Sequence, residues 1–301
     1  MFKIPFPHTR SLNPALMLVA AALLSVTSAW AETPIDERHP LDADGQLHVS
    51  NVCGLIEVSA WSRNEVQISG TLGDGVDKLD VSGNKNKLEV LVRNPNKRRD
   101  VGDTTLTIKV PANAQLQLDG VSSDIVVNGS RGAVTAATVS GDVRLKLEST
   151  RLEARTVSGD IDVQAPSRDS KLNTVSGDIN ARGLSGKLVL ETVSGDAEVA
   201  GAAAFSELKL KSISGDLELD GEFTADARVS GETLSGDLRM RVPASVSAAL
   251  NVNTFSGGFN NRIAGAVATS GSKGKREIKL GDGKARVDLS SFSGDVTIEN
   301  R

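Results

Sequence analysis

The sequence predicts an all-β protein folded as a single-stranded β-solenoid, a parallel β-helix-like stack of coils. Two observations predict it: one tripeptide recurs at a fixed spacing, and apolar residues alternate around it as in a β-strand. The tripeptide is Ser-Gly-Asp, and its glycines fall 18, 18, 18, 20 and 21 residues apart from Gly141 to Gly236. The predicted coils are therefore about 18–21 residues long. The glycines at these corners are Gly141, Gly159, Gly177, Gly195, Gly215, Gly236 and Gly294.

Each coil is predicted to hold two short strands joined by a corner at the tripeptide. With the glycine as position zero, Val134 and Ala136 occupy positions −7 and −5 of the coil around Gly141, and Val143 and Leu145 occupy +2 and +4. This alternation places one face of each strand in a core. Position −2, Val139 in this coil, is also apolar, so we expect it to face inward after a bend between −3 and −2.

The residue types of the corner suit a sharp bend. Glycine tolerates a positive φ or a crowded backbone, and Asp and Ser side chains bond backbone N–H groups that a turn leaves unpaired. Position −3 is Thr or Ser in all eight coils from Thr138 to Ser291, which predicts a half-buried hydroxyl.

The repeated aspartates are predicted to stack in a row about one strand spacing apart. Like charges at that spacing repel by roughly 0.9 kcal/mol per neighbour in water, so the row needs a compensating interaction. Capping of backbone N–H groups is the favoured explanation, with no metal, and a row of bound cations is the alternative. The aspartates are Asp142, Asp160, Asp178, Asp196, Asp216 and Asp237.

Residues 1–31 have the pattern of a cleaved signal peptide. Lys3 and Arg10 are followed by an apolar run from Ala15 to Val26 and a small-x-small site that ends at Ala31. The apolar run is too short for a membrane anchor. We expect an exported chain, in the periplasm or at the cell surface, with no membrane span after cleavage.

Residues 32–111 are predicted to form an N-terminal β region and residues 112–301 the solenoid repeats. The N-terminal region begins with a degenerate coil around Gly54, in which Cys53 is expected to be a small buried side chain, with a reactive or bridging thiol as the alternative. Turn residues between Val66 and Val110 predict hairpins that cap the stack. The interval from Gly257 to Gly294 predicts one further coil plus a loop, and the closing strand is expected at the final edge.

Charge and composition restrict the function classes. The formal charge is −4, or −6 without the leader, which argues against nucleic acid as a partner. The chain after Ala31 has two histidines, His39 and His48, and lacks the motifs of nucleophilic, zinc-dependent or phosphate-binding enzymes. We therefore expect no enzymatic activity and no cofactor.

Two further clusters carry charged side chains. Arg93, Lys97, Arg98 and Arg99 are predicted at a hairpin tip, either as a solvated loop or as a contact for an anionic envelope polymer. Asp42 to Gly45 resembles part of a calcium loop but lacks its distal glutamate, so a turn is expected.

Several segments together resemble the bacterial putative-adhesin family of β-strand-repeat domains. They are Gly54 to Trp61, Ile108 to Pro111 and the Thr-Val-Ser-Gly-Asp-Ile coils, preceded by the export signal. The resemblance covers roughly Gly45 to Arg301. It implies a β-solenoid envelope protein and carries over no functional residues.

The predicted function is that of a non-catalytic envelope or cell-surface scaffold, adhesin-like, or a binding module. Its expected partner is an envelope polymer or another envelope protein. The alternatives are a polysaccharide-active β-helix enzyme, which needs a cleft with converging carboxylates, and an envelope-stress sensing domain.

Overall fold

The chain is built from β-strands in its computed structural model, which describes residues 33–95, 101–263, 266–272 and 274–301. These residues form 23 strands and no helix, and so contain no helix able to cross a membrane. The predicted all-β class is confirmed. The predicted leader lies outside the described residues. The strands are β1 Thr33–Pro40, β2 Gln46–Trp61, β3 Glu65–Leu72, β4 Lys78–Gly83, β5 Lys87–Arg93, β6 Thr104–Pro111, β7 Gln115–Asn128, β8 Val134–Ala137, β9 Val143–Lys146, β10 Arg151–Arg155, β11 Ile161–Gln164, β12 Asp169–Asn173, β13 Ile179–Glu191, β14 Ala197–Ser212, β15 Leu217–Asp220, β16 Phe223–Thr233, β17 Leu238–Val242, β18 Ala248–Thr254, β19 Phe259–Arg262, β20 Val267–Ser272, β21 Lys275–Leu280, β22 Ala285–Ser291 and β23 Val296–Asn300.

Most strands belong to one of two parallel ladders that meet at the Ser-Gly-Asp corner. In the ladder before the corner, Val134 pairs with Leu152, and Leu152 pairs with Ser170. In the ladder after it, Val143 pairs with Ile161, and Ile161 pairs with Ile179. Each pairing joins residues 18 positions apart, so consecutive coils stack in register.

The pairing is more closed than that of a simple solenoid. Strands β7, β8, β10, β12, β13, β11 and β9 form a ring of seven parallel strands, each paired with the next. The ring closes because β7 and β13 are long enough to belong to both ladders: the chain bends within each strand without losing its ladder bonds.

At each end of the stack, the coil nearest the chain terminus is not the outermost coil. It lies between the two coils that are next to it along the chain. Strand β2 lies between β7 on one edge and β5 and β6 on the other. At the opposite end β22 lies between β16 and β18, and β23 lies between β17 and β19. The expectation that the closing strand forms the final edge is therefore wrong, because β23 is paired on both sides.

Antiparallel strands cover the ends of the ladders. Strands β4 and β5 pair antiparallel, as do β3 with β6 and β1 with β3, so the hairpins predicted between Val66 and Val110 are present. At the other end β18 is followed by antiparallel β21 and β20. This hairpin occupies the interval in which a further coil was predicted, and it ends the parallel pairing.

The core consists of aliphatic layers from both ladders. Positions −7, −5, +2 and +4 face inward as predicted: Val134, Ala136, Val143 and Leu145 are all buried. Position −2 does not face inward as expected: the side chain of Val139 is 44% exposed. The chain bends between −2 and −1, so both of these residues face solvent, and only the −3 hydroxyl and the glycine turn inward.

Candidate functional site

The corner is held by a buried hydroxyl on each rung. The Oγ1 atom of Thr156 accepts the N–H of Gly159 at 3.1 Å and donates to the carbonyl of Gly141, one coil away, at 3.1 Å. Thr174 repeats both bonds one coil later, to Gly177 and Gly159. The predicted hydroxyl at −3 is therefore present, but it is buried rather than half-buried.

The glycines of the Ser-Gly-Asp corners are required by crowding, not by the sign of φ. None of the seven Ser-Gly-Asp glycines has a positive φ; of the corner positions, only Gly54 in the degenerate first coil does, at 109°. A Cβ atom on Gly177 would lie 1.8 Å from the carbonyl oxygen of Gly159, and one on Gly159 would lie 1.9 Å from that of Gly141. Of the two reasons expected for glycine, the crowded backbone holds at the Ser-Gly-Asp corners, and the positive φ holds at Gly54.

The aspartates form a continuous row of backbone caps. The N–H of Asp160 donates to Oδ1 of Asp142 at 3.0 Å, and the N–H of Asp178 donates to Oδ1 of Asp160 at 2.9 Å. This is the favoured capping arrangement. Within the described residues, no cluster of three or more His, Cys, Asp or Glu side chains could hold a metal ion. The same bond recurs at Asp196, Asp216, Asp237, Asp295 and Gly258.

The row also explains the corner that lacks an aspartate. Gly258 donates its N–H to Oδ1 of Asp295 at 2.6 Å, but its coil is the last parallel rung of the ladder. No following rung needs an acceptor from position 258, so a residue without a carboxylate suffices there.

Outside the bend, the corner presents three rows of side chains that we call the corner surface. They are an apolar row from position −2, a hydroxyl row from the serines at −1 and an acidic row from the aspartates at +1. Most of the apolar residues are between 40% and 50% exposed, and Phe255 at the end of the row is 77% exposed. In spatial order the apolar row is Val121, Val139, Val157, Val175, Val193, Ile213, Leu234, Phe292 and Phe255.

The apolar row ends in an aromatic pair. The rings of Phe255 and Phe292 stack with centroids 4.6 Å apart and planes 8° from parallel. They border a groove of about 710 Å³ that Lys275 and Asn253 also line. The last rung of the row is therefore its broadest and most exposed apolar part.

Most of the acidic row has no cationic partner. Arg144 pairs with Asp142 at 2.7 Å and approaches Asp124 at 4.0 Å. For the described residues, no other ion pair reaches the row. The second carboxylate oxygen of each later aspartate is thus open to solvent or to a partner. These aspartates are Asp160, Asp178, Asp196, Asp216, Asp237 and Asp295.

Other ion pairs between rungs lie on the outer faces of both ladders, and the one between Arg241 and Glu299, at 3.1 Å, lies after the corner. Lys209 contacts Glu191 at 2.7 Å and Lys211 contacts Glu232 at 2.6 Å. The hydrogen bond from Lys209 lowers the pKa of the Glu191 carboxyl, and the bond to Glu232 raises the pKa of Lys211. These pairs tie neighbouring coils together at the surface.

The remaining predicted residues do not converge on one site. His39 bonds Glu37 at 2.9 Å, whereas His48 bonds Asp119 at 2.8 Å on β7. Arg93 pairs with Asp80 at 3.2 Å, and the other members of its cluster, Lys97, Arg98 and Arg99, lie outside the described residues.

Two further predictions concern the N-terminal region. Asp42 to Gly45 forms a turn, as predicted, with the N–H of Gly45 donating to the carbonyl of Asp42 at 3.0 Å. Cys53 has a free thiol. On β2 it lies opposite Ser122 of the neighbouring strand β7. It is only partly buried, because its position in the corner matches that of the outward-facing serines, so the expectation of a buried side chain is wrong.

Comparison with known proteins identifies the family of this chain. Residues 55–299 match the Toastrack DUF4097 family. The chain belongs to this family. Among curated proteins, none matches this Toastrack chain.

Solved structures similar to this Toastrack protein come from Bacteroides, Parabacteroides and Clostridium species. A putative adhesin from Bacteroides fragilis is 14% identical, covers 90% of this chain and 98% of its own, and has a TM-score of 0.45. A putative lipid binding protein from Parabacteroides distasonis is 11% identical over 88% of this chain and 96% of its own, with a TM-score of 0.45. At these identities and TM-scores the similarity assigns no function.

Proposed function

We propose that this Toastrack protein is a non-catalytic, exported scaffold of the cell envelope or cell surface, adhesin-like, that binds a partner along its corner surface. In this proposal the chain after the leader acts as a single-stranded β-solenoid with an N-terminal hairpin cap. The observation that carries it is the corner surface itself, where the same three side-chain types are displayed on successive rungs.

Repetition of this kind suits binding better than catalysis. An active site needs one group whose surroundings differ from those of its neighbours. The row aspartates from Asp160 to Asp237 instead have equivalent surroundings, each using one oxygen to cap the next rung. A partner that contacts several rungs gains from each of them, whereas the loss of one contact weakens binding only in part.

The proposed location and partner follow from the leader and the charge. The pattern of residues 1–31 supports export, and the acidic balance disfavours nucleic acid. The proposed partner is an envelope polymer or another envelope protein. A polysaccharide-active enzyme and an envelope-stress sensing domain are the competing functions.

Binding of the processed chain to purified cell envelopes tests this proposal. We expect saturable retention that survives single changes such as Asp178→Asn and His48→Ala, since no one side chain acts alone. In parallel, the chain is incubated with envelope and plant polysaccharides and assayed for reducing or unsaturated ends. Release of such ends, lost in one Asp→Asn variant, would establish an enzyme instead.

A further inference from the structure

The apolar character of position −2 is not explained by burial. Other outward positions of the same coils carry polar or charged residues, as Arg155, Asn173 and Glu191 do at position −4. In the described part of the chain, position −2 is where an apolar side chain recurs on the surface of successive coils; eight of the nine side chains are exposed and Val193 is partly buried. Scattered exposed apolar residues are ordinary, but a continuous row of nine is typical of an interaction surface.

The acidic row gives this surface a charge that a partner must match. From Asp160 to Asp295 the row runs parallel to the apolar row, one aspartate per rung. No lysine or arginine of the described residues pairs with these carboxylates. A cationic partner therefore relieves repulsion along the row, whereas an anionic membrane surface increases it.

The spacing of the rungs matches a helix better than a strand. Rungs are about 4.8 Å apart, and side chains on one face of an extended strand repeat every 6.6–6.8 Å or so. One face of an α-helix presents a residue every three or four positions, which averages roughly 5.3 Å along its axis. A helix lying along the corner thus drifts from the rungs by about 0.5 Å per contact, against about 1.9 Å for a strand. The nine apolar residues span about 38 Å, the length of a helix of roughly 25 residues.

The geometry points to a basic amphipathic helix of another envelope protein as the partner of the corner surface. Its apolar stripe lies on the valine row, and its Lys or Arg stripe faces the free oxygens of the aspartates. This inference rests on the proposed binding function and specifies the chemistry of the partner. It differs from a homodimer, in which the corner surface of one copy would cover the corner surface of the other.

A synthetic peptide pair tests the inference with the processed chain. One 25-residue peptide carries leucines at alternating spacings of three and four, flanked by lysines, and the other has the same composition in an order that destroys the stripe. We expect the striped peptide to bind at least tenfold more tightly in fluorescence anisotropy. Equal binding of the two peptides overturns the inference.

Variants of the two rows then locate the binding site. Val157→Ser with Val175→Ser is expected to weaken striped-peptide binding at least tenfold, while Val267→Ser, an exposed apolar side chain off the row, leaves it unchanged. Unaltered binding of the row variant contradicts the inference. Circular dichroism and melting temperature confirm that each variant is folded.

The aspartate variants separate charge from structure. Asp160→Asn with Asp178→Asn keeps the side-chain oxygen that caps the next rung but removes two charges. We expect weaker binding of the striped peptide and a smaller dependence on salt. Asp226→Asn with Asp282→Asn removes two exposed charges elsewhere and serves as the matched control. Equal effects of the two pairs contradict docking on the row.

Two other occupants give distinct results. A concentration-dependent dimer abolished by Val157→Ser with Val175→Ser, together with no peptide binding, shows that a second copy covers the row. Binding to phosphatidylglycerol vesicles, lost in the same variant, shows a membrane contact. Either result overturns the helix inference. If the striped peptide does not bind but envelope binding is weakened in this variant, the corner surface stands as the binding site and only the helix inference fails.

Discussion

At the scale of the residue, Gly177 shows how stacking restricts a side chain. Any Cβ atom at this position meets the carbonyl oxygen of Gly159 at 1.8 Å, so the coils must separate or the corner must shift. We expect Gly177→Val to destabilise by about 1–3 kcal/mol or more. Asp178→Ala removes one cap from Asp196 and should cost about 0.5–1.5 kcal/mol.

Urea unfolding of these two variants measures the difference, with Ser176→Ala as the control for an exposed change in the same corner. A midpoint for Gly177→Val equal to that of Asp178→Ala would show that the corner relaxes at little cost. Gly177→Ala adds a finer comparison, because it introduces the clash without a β-branched side chain.

Residue chemistry made part of the corner predictable from sequence. Threonine at −3, a crowded glycine and a capping aspartate each follow from what those side chains can bond or avoid. The orientation of Val139 did not follow, because alternation indicates which residues share a face but not where the chain bends. Its apolar character suggested burial, and only the fold shows that it lies on the surface.

At the scale of the element, the order of strands in space departs from their order in the chain. The repeat spacing predicted the parallel register of β8, β10 and β12, since those coils are consecutive. It gave no sign that β22 enters between β16 and β18. An insertion of this kind depends on pairing between distant segments, which local patterns do not record.

Removing residues 285–301 tests the role of this inserted coil. The truncation removes β22 and β23, which are the strands that link β18 and β19 to the rest of the stack. We expect fast hydrogen exchange throughout β18, β21 and β17, with protection retained in β11 and β13. Removing residues 33–40 is the control, because β1 pairs only with β3 at the opposite end. Retained protection in β18 would mean that the hairpin end folds without the inserted coil.

At the scale of the whole molecule, ion pairs between coils make stability depend on pH. The hydrogen bond from Lys209 lowers the pKa of Glu191 in the folded state, and that from Arg241 lowers the pKa of Glu299. The unfolded chain therefore binds protons at a higher pH than the folded chain does. This contribution is fully present above the unfolded glutamate pKa of about 4.3 and is lost as pH falls through the lowered folded pKa.

We expect the urea midpoint to change little between neutral pH and about pH 5, and to fall below about pH 4. Glu191→Gln should lower stability at neutral pH by about 0.2–1 kcal/mol, the range for exposed pairs. The same change should make the acid decrease shallower, since its carboxyl no longer takes up a proton on unfolding. Urea titrations across this range measure both effects, with Asp282→Asn at an exposed turn as the control. An acid decrease equally steep in Glu191→Gln and in the unaltered chain would show that the pair between coils contributes nothing to stability.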